Sequence, residues 1–585
     1  MNLHTGERLS KNALLYFKSL TTIFSNAVSH DQKIRTPSSS ILPAMIRFNR
    51  THLPYIWCFI LLAIASPPAP VRAQTSPQHP NILLIIADDL GVDMTNGYQN
   101  NAVMPITPTL DSLQAAGVQF MNAWSTPVCT STRAALMSAK YGVKTGVTGA
   151  PGNLDTSDIS VFSELAALGN NLYAGAVIGK WHISLPTDYN HPQQHGIDYY
   201  EGVFEASVSD YYNWTKVSNG VTSTETTYAT TYFTDQAISW VNAQTSPWFL
   251  WLAEVAPHSP FHTPPAGLYS IASTSTNQEK YIASIEAMDA EIGRLLANVS
   301  PAVLANTIII YIGDNGTPGN LNYNYPQGHG KGSLYQGGVH VPMTVCGAGV
   351  SRINQQEEAM VFVSDIYATI LEATGIPLDG GLYNGLSFHH LLSATGGVTR
   401  DYNYSEIISQ NVEGWTIRQE RYKLIEFADG TQEFYDLDND PFETNDLIGS
   451  LTTAQDSIKL DLEQEAQAIR NGWSCRDHIK NGDEFRIDCG GTLCEPCAFN
   501  SSEEITNSTD LRLFPNPSKE LLRVESATVN IQKVTVTTLA GKTLLEMDNL
   551  NRNSLSLDLS AIPNQVVLVQ VHLGEQILHR KVVVR

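Results

Sequence analysis

Asn81–Ala87 reads NILLIIA and runs directly into Asp88-Asp89. Ile82, Leu83, Leu84, Ile85 and Ile86 follow one another with no polar residue at alternate positions. A strand with one wet face alternates, whereas one covered on both faces does not, so this run predicts an inner strand of a parallel sheet. Two adjacent carboxylates at its end repel each other unless a cation lies between them. The same design recurs along the chain. Thr307–Ile312 (TIIIYI) ends in Gly313-Asp314-Asn315-Gly316, Leu172–Ile178 ends in Gly179-Lys180-Trp181-His182, and Trp248–Val255 leads to Pro257-His258. Apolar residues recur at helical spacing between them, as in Ile282–Leu296. Strands alternating with helices predict an α/β fold, a large, mostly parallel sheet sandwiched by helices.

Ligands of open α/β sheets bind beyond the carboxyl ends of the strands. Asp88, Asp89, Asp314 and Asn315 fall there and offer hard oxygens without a His or Cys among them, a set suited to Ca²⁺ or Mg²⁺ rather than zinc. Pro127-Val128-Cys129-Thr130-Ser131-Thr132-Arg133 runs into the helix-forming Ala134-Ala135-Leu136-Met137. Cys129 then opens a helix, where free N–H groups favour an anion, and Arg133 follows one turn later on the same face. Spacing alone leaves Cys129 either a nucleophile or a small buried hydrophobe.

The ends and the composition set the frame. A chain of 585 residues predicts two or more domains, and 42% hydrophobic with 16% charged residues suits a globular protein. A net charge of −22 argues against nucleic acid and acidic membrane surfaces as partners. Met45 opens a short basic stretch with Arg47 and Arg50. The apolar run Tyr55–Ala65 follows, then Val71-Arg72-Ala73, the order of a signal peptide's three regions. The expectation is translation from Met45, a mature chain from about Gln74 and no stable membrane span, because the run is too short to cross a bilayer. Cys475, Cys489, Cys494 and Cys497 cluster, and in an oxidising compartment they predict two disulfides rather than a zinc knuckle.

The motifs NILLIIADDLG, PVCTSTRAALMS, GKWH, APHSPFH, IGDNG and GHGKGSLYQGGVHVPM, in this order, resemble the sulfatase family of the alkaline-phosphatase superfamily, with support from DIYATILEATGIP and YDLDNDPFETNDL. The resemblance covers about Pro80 to Gly449. It implies that Cys129 is oxidised to formylglycine by a formylglycine-generating maturation enzyme and serves as nucleophile. It implies one Ca²⁺ held by Asp88, Asp89, Asp314 and Asn315, with residue 129 as a further ligand. Arg133, Lys180, His182, His258 and Lys331 match the residues around sulfate and aldehyde, with His258 as general acid and His182 as base. The implied reaction removes sulfate from a sulfated carbohydrate or related ester. The alternatives are a phosphoesterase or phosphonate hydrolase of the same superfamily, or a non-catalytic glycan-binding surface protein. Ser131 stands where the family has Pro or Ala, and Gln336 and His340 stand where Glu and Arg are common.

Residues 513–585, with LFPNPSKELLRV, VTVTTLAGKTLL, LSLDLSAIP and HRKVVVR, resemble the sorting domain of type IX secretion. That implies the type IX secretion machinery as a partner and a secreted or cell-surface protein exported through the periplasm. The expected organisation is an N-terminal extension and signal peptide at 1–73 and an α/β catalytic domain at 79–385. A small α+β subdomain at 386–470, a Cys-rich spacer at 474–497, a linker at 498–510 and a small β-sandwich at 511–585 complete it. In the loop Glu201–Thr227 the aromatics Tyr211, Tyr212 and Trp214 read as packing.

Overall fold

The computed structural model describes residues 79–98, 103–168, 171–322, 324–376, 383–409, 411–472, 474–479, 487–489, 494 and most of 511–584. The signal peptide and the linker of the sequence reading lie outside these residues. The chain divides into two units, 1–497 and 498–585.

The first unit is built on strands β1 (Asn81–Ala87), β2 (Gly117–Trp124), β3 (Ala174–Lys180), β4 (Tyr199–Val203), β5 (Trp214–Ser218), β6 (Val221–Glu225), β7 (Trp248–Ala253), β8 (Thr307–Gly313), β9 (Met343–Gly347) and β10 (Gln355–Phe362). They form one sheet in the order β10-β2-β9-β8-β1-β7-β3-β4-β5-β6. The block β8-β1-β7-β3-β4 is parallel throughout and contains the four strands read from fully apolar runs. Outside it the sheet is mixed: β9 runs antiparallel between β8 and β2, and β5 and β6 add an antiparallel edge.

All of β1 is buried. Ile82, Leu84 and Ile86 enter the core on one face of the sheet, and Leu83, Ile85 and Ala87 enter the core on the other. That is why the run carries no polar alternation. Each Leu or Ile so buried contributes about 1.5–3 kcal/mol. The helix Asn277–Ala297 covers the second core, started by a capping box between Thr276 and Glu279 and burying Tyr281, Ile285, Met288 and Ile292.

The β3 strand extends two residues beyond the predicted end. At Gly179 φ is +108°, and a Cβ there would lie 1.8 Å from the Ala253 carbonyl oxygen. Only glycine lets β3 and β7 approach so closely, and pairing of Lys180 with Val203 of β4 carries the strand one residue further.

Residues 386–470 contain β11 (Asn403–Ile408), β12 (Glu413–Gln419), β13 (Tyr422–Phe427) and β14 (Gln432–Asp436) in an antiparallel meander, followed by the helix Thr453–Asn471. Cys475 is bonded to Cys494, and Cys489 is also disulfide-bonded, so these sulfurs are not free for zinc. Cys497 lies outside the described residues. Tyr211 and Trp214 are buried as foreseen, but Tyr212 is half exposed. In the second unit a three-stranded and a four-stranded antiparallel sheet share one core of Leu522, Val524, Val534, Val569 and their neighbours. No helix of the described residues is long and apolar enough to cross a membrane.

Candidate active site

Strand register creates the acidic centre. Ala87 of β1 stands beside Gly313 of β8, so the residues that follow, Asp88-Asp89 and Asp314-Asn315, leave the sheet side by side. The Asp314 N–H donates to the Ala87 carbonyl at 3.0 Å, and the Asp89 N–H donates to Asp314 Oδ1 at 3.0 Å. Asp89 turns back with φ +72°, a left-handed conformation unusual for a residue with a Cβ. All four side chains are buried.

Cys129 is the first residue of the helix Cys129–Ser138, as the sequence predicts. Its Sγ lies 3.3 Å from His182 Nδ1, which also sits 3.2 Å from the Thr130 hydroxyl. Arg133, one turn on, donates to Asp314 Oδ2 at 2.8 Å and to the Lys180 carbonyl at 2.9 Å. Lys180 Nζ lies 2.6 Å from Asp88 Oδ2, with both groups fully buried. Lys331 Nζ lies 2.5 Å from Asp89 Oδ1, and His258 Nε2 lies 3.6 Å from Asp89 Oδ2. Residues predicted from six separate stretches of chain therefore share one pocket. Arg133 and Lys180 are turned to carboxylates, so their first task is charge balance within the site.

The electrostatics suit a cation. Burial pushes the Asp88 carboxyl up to about 7, with Lys180 pulling against it and Asp314 adding to it. Burial would also raise Asp89, but Lys331, His258 and Lys180 outweigh it and hold that carboxyl at about 2. Burial, followed by the charges of Lys180, Arg133 and Lys331, pushes His182 down to about 2, so its imidazole is neutral. Burial works against the Lys331 ammonium, and the Asp89 carboxylate beside it overcomes this and holds the proton on. Asp88 Oδ1 and Asn315 Oδ1 are buried with no hydrogen-bond partner. Asp88, Cys129 and Asp314 offer ligand atoms within 4.8 Å of one another, and so do Asp88, Asp89 and His258. Unpartnered buried oxygens beside a carboxyl driven toward neutrality fit a hard divalent ion, which reverses that drive.

The sequence reading missed several supports. Tyr281 donates its hydroxyl to the Asp89 carbonyl at 2.5 Å, and Tyr211 donates to the carbonyls of Val255 at 3.0 Å and His258 at 2.8 Å. Thr130 sat beside a flagged cysteine and was open to notice. Tyr281, far along the chain, carried no signal.

Comparison with known proteins gives the family. The sulfatase family matches residues 80–376, and the C-terminal region of N-sulphoglucosamine sulphohydrolase matches residues 328–471. The chain belongs to the sulfatase family. It is 28% identical to arylsulfatase J of Mus musculus over 52% of this chain and 54% of that protein. It is 26% identical to N-acetylgalactosamine-6-sulfatase of Sus scrofa over 52% of this chain and 63% of that one. The chain thus spans between about half and two thirds of these curated relatives. The fold is shared with Ps i-CgsB, solved in complex with k-i-k-neocarrahexaose: TM-score 0.58 and 23% identity, covering 68% of this chain and 95% of that one. A domain family of unknown function matches residues 509–584.

Proposed function

We propose that the protein hydrolyses sulfate esters of a carbohydrate, with residue 129 as an aldehyde-derived nucleophile and one Ca²⁺ in the acidic centre. The observation that carries this reading is the single pocket holding Cys129 at a helix start, His182 against its sulfur and the acids of two neighbouring strand ends. Asp88, Asp89, Asp314 and Asn315 would hold the ion, which supplies positive charge for sulfate oxygens. Oxidised to formylglycine by a maturation enzyme, residue 129 supplies as its hydrate a nucleophilic oxygen and a second hydroxyl that lets sulfate depart, which a thiol does not.

The chain's own residues do the rest. Neutral His182 accepts the proton that residue 129 gives up. Lys331 and the N-terminus of the helix Cys129–Ser138 face negative charge that grows on the sulfate oxygens. His258, tied through its carbonyl to Tyr211 and only partly buried, protonates the departing alcohol. Lys180 and Arg133 pair with Asp88 and Asp314 and orient them.

Ser131 donates to the Val128 carbonyl and shares a 2.6 Å hydrogen bond with the Thr126 hydroxyl. It holds the turn before the helix where the family has Pro or Ala. Mass spectrometry of the Cys129 peptide from the native host tests the reading. An aldehyde is expected; an unmodified thiol would sink the mechanism and favour a glycan binder. Chelation provides a second test. Removal of Ca²⁺ is expected to lower Tm and abolish sulfate release, and its return to restore both, since an ion at 100 times its Kd stabilises by about 2.7 kcal/mol.

The secretion reading extends this proposal. A signal peptide within residues 1–73 and residues 511–585 as a type IX sorting domain place the enzyme outside the cell, facing sulfated polysaccharide. Deletion of residues 513–585 should block export. Intact export with weakened polysaccharide binding would make that domain a glycan-binding module instead.

A further inference from the structure

His258 can hand a proton to a departing alcohol only when the correct ring nitrogen faces that oxygen. Its Nδ1 lies 2.7 Å from the Ser259 carbonyl oxygen. A carbonyl only accepts, so Nδ1 carries hydrogen there. Nε2, 3.6 Å from Asp89 Oδ2, is left for the acidic centre. The aim of the ring therefore depends on backbone, above all on where the Ser259 carbonyl points.

That backbone is held almost carbonyl by carbonyl. The His258 N–H donates to the Val255 carbonyl at 2.9 Å and closes a turn. The Tyr211 hydroxyl reaches the carbonyls of both Val255 and His258, at 3.0 and 2.8 Å, and so pins the turn at its two ends. The Ser207 hydroxyl donates to the Ser259 carbonyl, the same one that Nδ1 uses. Tyr212 donates to the Thr263 carbonyl at 2.8 Å. His262 takes a carbonyl between them. Burial pushes its ring down to about 4, so it is neutral and has one N–H. That N–H sits on Nδ1, 3.1 Å from the Pro260 carbonyl oxygen, while Nε2 accepts from the Tyr228 hydroxyl at 3.0 Å. The His262 ring also stacks on Tyr211, with centroids 3.7 Å apart. Ser259 and Pro260 are exposed, so water would satisfy their carbonyls; side chains that take them fix their direction as well.

Resting on the sulfatase reading above, we propose that Ser207, Tyr211 and His262 are positioning residues for His258, which aim its Nε2 at the departing oxygen. The test uses the matured full-length protein and kcat/KM for 4-nitrophenyl, 4-chlorophenyl and phenyl sulfate. 4-Nitrophenolate leaves without a proton, whereas the more basic phenolate needs one, so a misaimed acid costs more as the leaving group grows more basic. Tyr211→Phe should lower kcat/KM for phenyl sulfate about tenfold more than for 4-nitrophenyl sulfate. Added to His258→Ala, it should leave the ratio of the two where His258→Ala alone puts it. Equal losses on all three esters would make Tyr211 a support of the fold alone and overturn the proposal. A further change of ratio in the His258→Ala background would overturn it too. Should Tyr211→Phe fail to fold, as judged by its Tm, Ser207→Ala decides by the same ratio, with a smaller change expected and no change overturning it. An unchanged ratio in His258→Ala itself removes the acid, and with it anything to aim. Failure of wild type on all three esters, with the aldehyde present at residue 129, overturns the sulfatase reading instead and takes this proposal with it.

Discussion

His182 meets two demands at once. Its backbone is left-handed, with φ +54°, and its ring is kept neutral by burial and three nearby cations. A non-glycine residue in that conformation costs of order 1–3 kcal/mol and persists only where surrounding contacts impose it. Here the imposed position sets Nδ1 between Cys129 and Thr130. His182→Ala is expected to lower kcat by about 10²–10⁴ with little change in KM, read from steady-state kinetics on a sulfate ester. A wild-type kcat would remove His182 from proton transfer. At this scale the sequence was legible wherever chemistry sat next to a strand end: Asp88, Asp89, Asp314 and Asn315 stood out because acids rarely follow fully apolar runs. Tyr281 was not legible, since a tyrosine on an amphipathic helix reads as core until the carbonyl it holds is known.

Single elements explain how the site is kept in place. Lys423 of β13 and Glu443 form a fully buried ion pair 2.6 Å apart, and Glu443 also accepts the Gln336 N–H. Gln336 follows closely on Lys331, whose own N–H donates to the Thr317 carbonyl at 2.9 Å. The small subdomain thus anchors the segment that presents Lys331. Glu443→Ala leaves Lys423 buried and uncompensated, which should cost about 3–5 kcal/mol in urea unfolding. Turnover should fall with it where the fold survives; unchanged stability would mean that water reaches the lysine. Trp415–Arg418 and Arg421–Phe427 read in the sequence as paired strands and Ala454–Arg470 as a helix, local patterns that become β12, β13 and the helix Thr453–Asn471. No local pattern hints at Lys423 with Glu443, a pairing that depends on how the turn after β14 folds back onto β13.

At the scale of the whole molecule, pH acts through buried groups of opposite sign. Burial, reinforced by His191, pushes His195 down to about 4, and burial with Arg418 pushes His340 to about 4. Each is neutral when folded, while the unfolded chain takes up protons below about 6.5. Their stabilisation is full above that pH and is lost as pH falls toward 4. Burial raises Asp289 to about 7, so its contribution is full below about 3.8 and is lost as pH rises through 7. His195→Gln isolates one part. The Tm difference between wild type and variant is expected to shrink as pH drops from 6.5 to 4.5, and a constant difference would refute the assignment. The central parallel block was legible in the sequence because its strands lack alternation. The antiparallel β9 was not, because MTVCG between Met343 and Gly347 carries no mark of direction.

The placement of β1 has one more consequence. Like β7, the strand has hydrogen-bonded parallel partners along both edges and a packed core on each face. Its amides can trade protons for deuterium only when the entire sheet comes apart. Asp88 and Asp89 therefore hang from a backbone held along both edges and on both faces, where their mutual repulsion is met by the ammonium groups of Lys180 and Lys331 rather than by movement of the strand.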